Sequence, residues 1–148
     1  MKQSKYAFTM IELVFIIVVL GILAAVAIPK FTTTRNDAII AKGKADISSI
    51  RSAIVTERQS RLITGDATWV GTLDDGTGNY FIGPDVNHTL LMYGVAPGGE
   101  WTRTNGTSYD YSAGATTVTF TYSNVNGTFS CPTTGSPKPV ALCRELID

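Results

Sequence analysis

With a single histidine and only two cysteines in 148 residues, this chain has little material for acid–base, nucleophilic or metal chemistry. His88 stands beside Asn87, and no neighbouring Ser, Cys or carboxylate composes a catalytic set around it, so it reads as a loop side chain. Cys131 and Cys143 are too few and too far from His88 to form a zinc set. Asp74, Asp75, Asn79 and Asp85 offer oxygens without the ordered spacing of a calcium loop. No glycine-rich phosphate-binding pattern is present. Catalytic residues, a metal and a cofactor are therefore not expected. Charge is also missing from one long stretch: between Phe8 and Pro29 only Glu12 is charged, and no acidic residue precedes it.

That stretch is 22 residues, about 33 Å as a helix, enough to cross the apolar core of a bilayer. Lys2 and Lys5 lie before it, which by the positive-inside rule holds the N-terminus in the cytoplasm and exports the bulk of the chain. A carboxylate inside such a span costs about 2.5–3.5 kcal/mol at the bilayer centre and calls for a partner, although Glu12 is near one end and can snorkel. Small residues suited to cleavage follow the apolar region in a secretory signal. Here Ala7 precedes it, so cleavage at Ala7–Phe8 would keep the helix.

The helix is expected to continue as an amphipathic stem over residues 30–64. Ile40, Ile47, Ile50 and Ile54, with Ala53 beside them, recur at helical spacing, and Lys42, Lys44, Asp46, Arg51, Glu57 and Arg58 fill the other faces. Gly21, Pro29 and Gly43 are the expected bends, because Pro removes a backbone donor and Gly weakens helix. Thr64-Gly65-Asp66 supplies the stop. The stem from Lys30 to Leu62 carries seven basic and three acidic residues, whereas Ile63 to Asp148 carries three basic and eight acidic. A basic stem and an acidic head suit contacts between neighbouring copies, or simply solvation, and neither looks like a nucleic-acid binder.

Residues 65–148 change to short β-prone runs. Asn105-Gly106 divides Glu100–Thr104 from Thr107–Ser112, and Asn126-Gly127 divides Thr116–Ser123 from Thr128–Cys131, two hairpin signals. Val118, Phe120 and Tyr122 alternate with threonines, so one face of an antiparallel sheet should meet the isoleucine stripe. Trp69, Trp101 and the tyrosines from Tyr109 to Tyr122 are expected in the core and on the sheet face, where an exposed subset could instead bind a partner. Trp69 to Pro97 reads as a loop-rich connector with one strand at Leu90–Tyr93. The Asn-x-Thr triplets at Asn87, Asn105 and Asn126 are sequons, two of them explained by turn chemistry. Cys131 and Cys143, both exported, are expected to form a disulfide across a loop from Pro132 to Leu142, stabilising by about 3 kcal/mol. The fold class is α+β, a long N-terminal helix, transmembrane then amphipathic, packed on a small antiparallel sheet.

The segment Lys5-Tyr6-Ala7-Phe8-Thr9-Met10-Ile11-Glu12-Leu13, with Gly21 to Pro29 beyond it, resembles the leader and helix of type IV prepilins and pseudopilins. The resemblance implies that residues 1–7 are a leader removed by a prepilin peptidase, that Phe8 becomes the N-methylated first residue, and that Glu12 lies four positions behind it to serve assembly. Ala7 stands where the family normally has Gly. The new Phe8 ammonium of one subunit could then pair with Glu12 of a neighbour, setting register more than adding stability. Implied partners are identical subunits in a filament, minor pilins or pseudopilins, membrane lipid, and an inner-membrane platform with its ATPase. The stretch from Ile28 to Ile47 looks closer to major pseudopilins of type II secretion, which assemble in the periplasm to drive protein export. Those proteins typically bind calcium in a C-terminal loop, and the Cys131–Cys143 segment has no obvious acidic set for it. A disulfide loop there is common in pilins of surface filaments, which serve adhesion, twitching motility or DNA uptake.

Overall fold

The structure, a computed structural model, describes residues 8–148. The chain separates into two compact units, one reaching Asp37 and one running from Ala38 to Asp148. Helix α1 (Met10–Ile63) contributes to both. The helix runs through Gly21, Pro29 and Gly43, although Pro29 has no amide to donate, and ends as the Thr64-Gly65-Asp66 signal requires. Gly65 takes φ +88°, and the amides of Gly65 and Asp66 donate back to the carbonyls of Leu62 and Arg61 at 3.2 and 2.9 Å. That pair of bonds satisfies carbonyls the helix would otherwise leave open.

The second unit holds the core. Strands β1 (Trp101–Asn105), β2 (Ser108–Ala113), β3 (Thr116–Ser123) and β4 (Thr128–Ser130) form an antiparallel sheet in sequential order. The hairpins expected at Asn105-Gly106 and Asn126-Gly127 are present, and β3 has the expected bounds. Alternation puts Trp101, Tyr109, Tyr111, Val118, Phe120, Tyr122 and Phe129 on the buried face. Tyr111 opposes both Trp101 and Val118, while Tyr109 opposes Phe120. Ile47, Ile50 and Ile54 of α1 enter the same cluster, as the stripe requires.

Two expectations change, and one residue gains a role. Residues Leu90–Tyr93 form no strand: the amides of Leu90 and Leu91 reach the carbonyls of Ile82 and Phe81 at 3.0 Å each, without a continuing ladder, and Met92 and Tyr93 are exposed. The segment between the cysteines is not all loop, because α2 (Pro137–Ile147) occupies most of it and packs on β3. Ser136 before a Pro-bearing first turn, then Val140, Leu142, Cys143 and Leu146, was a helix signal that the Pro and Gly content obscured. Gly43 has a packing role within unbroken helix. A Cβ there would stand 2.6 Å from Tyr111 Cζ and 2.7 Å from Leu146 Cδ2, so the missing side chain admits the tyrosine ring and α2 against α1.

Candidate functional site

The sequence places its candidate site at the start of α1, and the geometry there supplies Glu12 with a partner in its own chain. Thr9 precedes the first helical residue. Its amide and hydroxyl both donate to Glu12 Oε2 at 2.8 Å, and the Glu12 amide reaches back to Thr9 Oγ1 at 3.3 Å. This reciprocal set is a capping box, legible as Thr-x-x-Glu immediately before an apolar run. It satisfies amides that the first turn leaves open, and it anchors the carboxylate beside the partial positive charge of a helix N-terminus. Both Thr9 bonds fall on one oxygen, and an ionised carboxylate has about four lone-pair sites, so the cap does not saturate it.

Ala7, with Lys2 and Lys5, lies outside the described residues. Phe8 is 78% exposed, and Glu12 is exposed as well. The rest of the first unit presents apolar side chains outward: Ile11, Phe15, Leu20, Leu23 and Val26 are all exposed. α1 is long and apolar enough to cross a membrane, and the residues of that apolar window are not buried by any of the described residues. Gly21 meets no atom that a Cβ would disturb, and Pro29 sits within the helix.

The remaining candidates separate from one another. Cys131 and Cys143 are joined, with Cα atoms 5.9 Å apart, and Cys143 is fully buried. The bond ties the end of β4 to α2 inside the core. Asp74 is buried and belongs to a polar clamp that the sequence did not reveal: the Tyr109 hydroxyl donates to its Oδ2, the Gly76 amide to its Oδ1 at 2.9 Å. Arg103 Nε lies 3.1 Å from Oδ1 as an ion pair without the alignment of a hydrogen bond, and Arg103 also donates to the Gly76 carbonyl. Burial, with the Asp74 carboxylate beside it, pushes the Tyr109 hydroxyl far above its ordinary value, so it remains a donor. Asp75 instead caps a turn at Thr77, and Asp85 accepts from Asn87 and His88. Among the described residues no group of three or more His, Cys, Asp or Glu converges as a metal set. Asn105 and Asn126 each accept the amide and hydroxyl of the threonine two residues on, the turn chemistry expected of those triplets.

Two known proteins resemble the chain. It is 34% identical over 53 residues to the type II secretion system core protein G of Pseudomonas aeruginosa, covering 36% of this chain and 37% of that protein, little more than a third of its length. It is 32% identical over 113 residues to the type IV narrow pilus major component PilA5 of Thermus thermophilus, covering 76% of this chain and 83% of that protein. No protein-family model and no solved structure matches.

Proposed function

We propose, because this chain belongs to the family of type IV pilins and pseudopilins, that it is a structural subunit of a pilin-like filament and works as a pseudopilin of type II secretion. One observation carries the filament reading: the apolar first half of α1 has no burial partner among the described residues, yet begins with a capped carboxylate. Such a helix suits two environments in turn, lipid before assembly and the helices of other copies afterwards. The proposed sequence is cleavage between Ala7 and Phe8, methylation of the Phe8 amine, and pairing of that ammonium with Glu12 of a neighbour. The unsaturated Glu12 carboxylate supports the last step, since Thr9 can keep its bonds while a second donor arrives. In a dry helix bundle the pair fixes which subunits lie side by side. Gly21 and Pro29 are the points at which α1 would yield as it packs.

On this reading the head is exported and the N-terminus cytoplasmic before extraction. The prepilin peptidase, the inner-membrane platform and its ATPase, and minor subunits act on the chain, which itself does mechanical work and no catalysis. The pseudopilus assignment is supported by the likeness to core protein G. A surface pilus is the second reading, favoured by the likeness to PilA5 over most of both chains and by the disulfide-tied C-terminal segment.

Intact mass of the protein from its native membrane tests the common part. A chain beginning at Phe8 with one methyl group is expected; a full-length, unmethylated chain would sink it. Deleting the gene then divides the two readings: lost exoprotein secretion with normal surface filaments indicates a pseudopilus, and the reverse indicates a pilus.

A further inference from the structure

The stem cations are not equally engaged. Lys42 pairs with Glu100 at 2.6 Å, Arg51 donates to the Phe129 carbonyl at 3.0 Å, Arg58 lies 5.0 Å from the Trp69 ring centre, and Arg61 bridges Glu57 and Asp66. Lys30 and Arg35 are exposed and make no ion pair among the described residues. They flank Phe31, itself 74% exposed. Ile28, Phe31 and Arg35, three and four apart, share one helix face, so this face presents an aromatic knob beside the Arg35 cation, with Lys30 on the adjoining flank.

The second unit has a matching recess. A groove of about 620 Å³ is lined by Ile82, Val86, Leu90 and Met92 together with Asp75 and Asp85. Val86 and Met92, which both line this groove, are almost wholly exposed. Among the described residues, neither carboxylate is ion-paired with a lysine or arginine. Hydrogen bonds, from Thr77 to Asp75 and from His88 and Asn87 to Asp85, hold both carboxyls below their ordinary range, so both are charged at neutral pH.

We propose that this groove receives the Ile28, Phe31 and Arg35 face of a second copy of the chain, with Phe31 on the apolar floor and Arg35 and Lys30 against Asp75 and Asp85. The docking rests on the filament reading above and adds which surfaces of neighbouring subunits meet. Complementary charge selects the occupant. The groove is acidic and would repel anionic headgroups or nucleic acid, whereas the chain's own stem carries the opposite sign.

Charge exchange tests this in cells that assemble the full-length chain, with filaments sheared from the cells or pseudopili quantified and membrane levels of each variant checked. Asp75→Lys with Asp85→Lys should lower filament yield about tenfold, as should Lys30→Glu with Arg35→Glu, and combining all four should restore yield to within about threefold. Asp75→Asn with Asp85→Asn keeps the turn acceptors while removing the charge, and should give an intermediate yield, separating lost pairing from a misfolded turn. Unchanged yield in either reversed pair would overturn the docking. So would loss in both without rescue, the result expected if Lys30 and Arg35 serve lipid headgroups. Both failures leave the filament reading standing. A wild-type chain that forms no filament overturns the filament reading and the docking together.

Discussion

Isoleucine behaves oppositely in the two units, although one helix carries it. Ile11 is 73% exposed and Ile17 56%, while Ile47, Ile50 and Ile54 are at most 2% exposed. Helix propensity cannot account for this, since the backbone is helical at all five. The difference is the presence of a sheet. From Ala38 onward the stripe shares one buried cluster with Trp101, Phe120 and Phe129, whereas among the described residues the first unit holds only helix α1. Hydrophobicity in the second unit therefore stabilises a monomer. In the first it is directed outward, to lipid or other copies.

Removing residues 1–37 is the most severe way to break that comparison. The remaining fragment should lose membrane partition entirely yet unfold cooperatively, because every residue of the buried cluster is retained. A fragment without a cooperative melt would show that the second unit depends on the first. Glu12→Ala should stop filament assembly while leaving the thermal midpoint of the head unchanged; normal filaments from that variant would remove the proposed pairing.

Within the second unit, Phe81→Ala should destabilise by about 3–5 kcal/mol. Phe81 is fully buried at φ +62° and its ring meets Tyr80, Trp101, Tyr109 and Phe129. Urea titration of the fragment reads the effect. Replacing both cysteines by serine should cost about 3 kcal/mol without altering membrane insertion. Gly43→Ala should cost about 1–3 kcal/mol even though alanine favours helix, because the fully buried Tyr111 ring would have to move while its hydroxyl holds the Ile39 carbonyl. A stabilised variant would show that the close approach is slack.

The smallest expected effect is alkaline. Burial pushes the Tyr111 and Tyr122 hydroxyls up to about 12. Free tyrosine ionises near 10. Their contribution to stability is complete below about pH 10 and is lost as pH rises through about 12. The thermal midpoint should fall across that window, with tyrosinate absorbance rising in parallel. Ionisation of Tyr111 and Tyr122 near pH 10 without unfolding, read as the absorbance difference from Tyr111→Phe and Tyr122→Phe variants, would place both rings in contact with water.

Much of this was legible because it depends on period and punctuation. The isoleucine spacing, the two Asn-Gly pairs and the Gly65 stop are local signals, and the structure follows each of them. What escaped depends on distant partners. The role of Gly43 is set by Tyr111 and Leu146, which no local pattern joins to it. Asp74 resembled its neighbour Asp75 until folding buried one beneath Tyr109 and left the other on a turn. Helix α2 lay hidden behind Pro137 and Pro139, which mark a helix start as readily as a loop. The capping box differs from these, since Thr9 and Glu12 are only three residues apart and form a local Thr-x-x-Glu signal.

Helix α1 meets its sheet through a row of rungs: the Ile39 carbonyl to Tyr111, Lys42 to Glu100, Asp46 to Trp101, Arg51 to the Phe129 carbonyl, with Ile47, Ile50 and Ile54 between and beyond them. A tug along the axis loads these rungs in parallel, whereas peeling one end would break them singly. A joint of that kind resists shear far better than unzipping. Traction along residues 39–51 of the helix would therefore carry the sheet with it as one body.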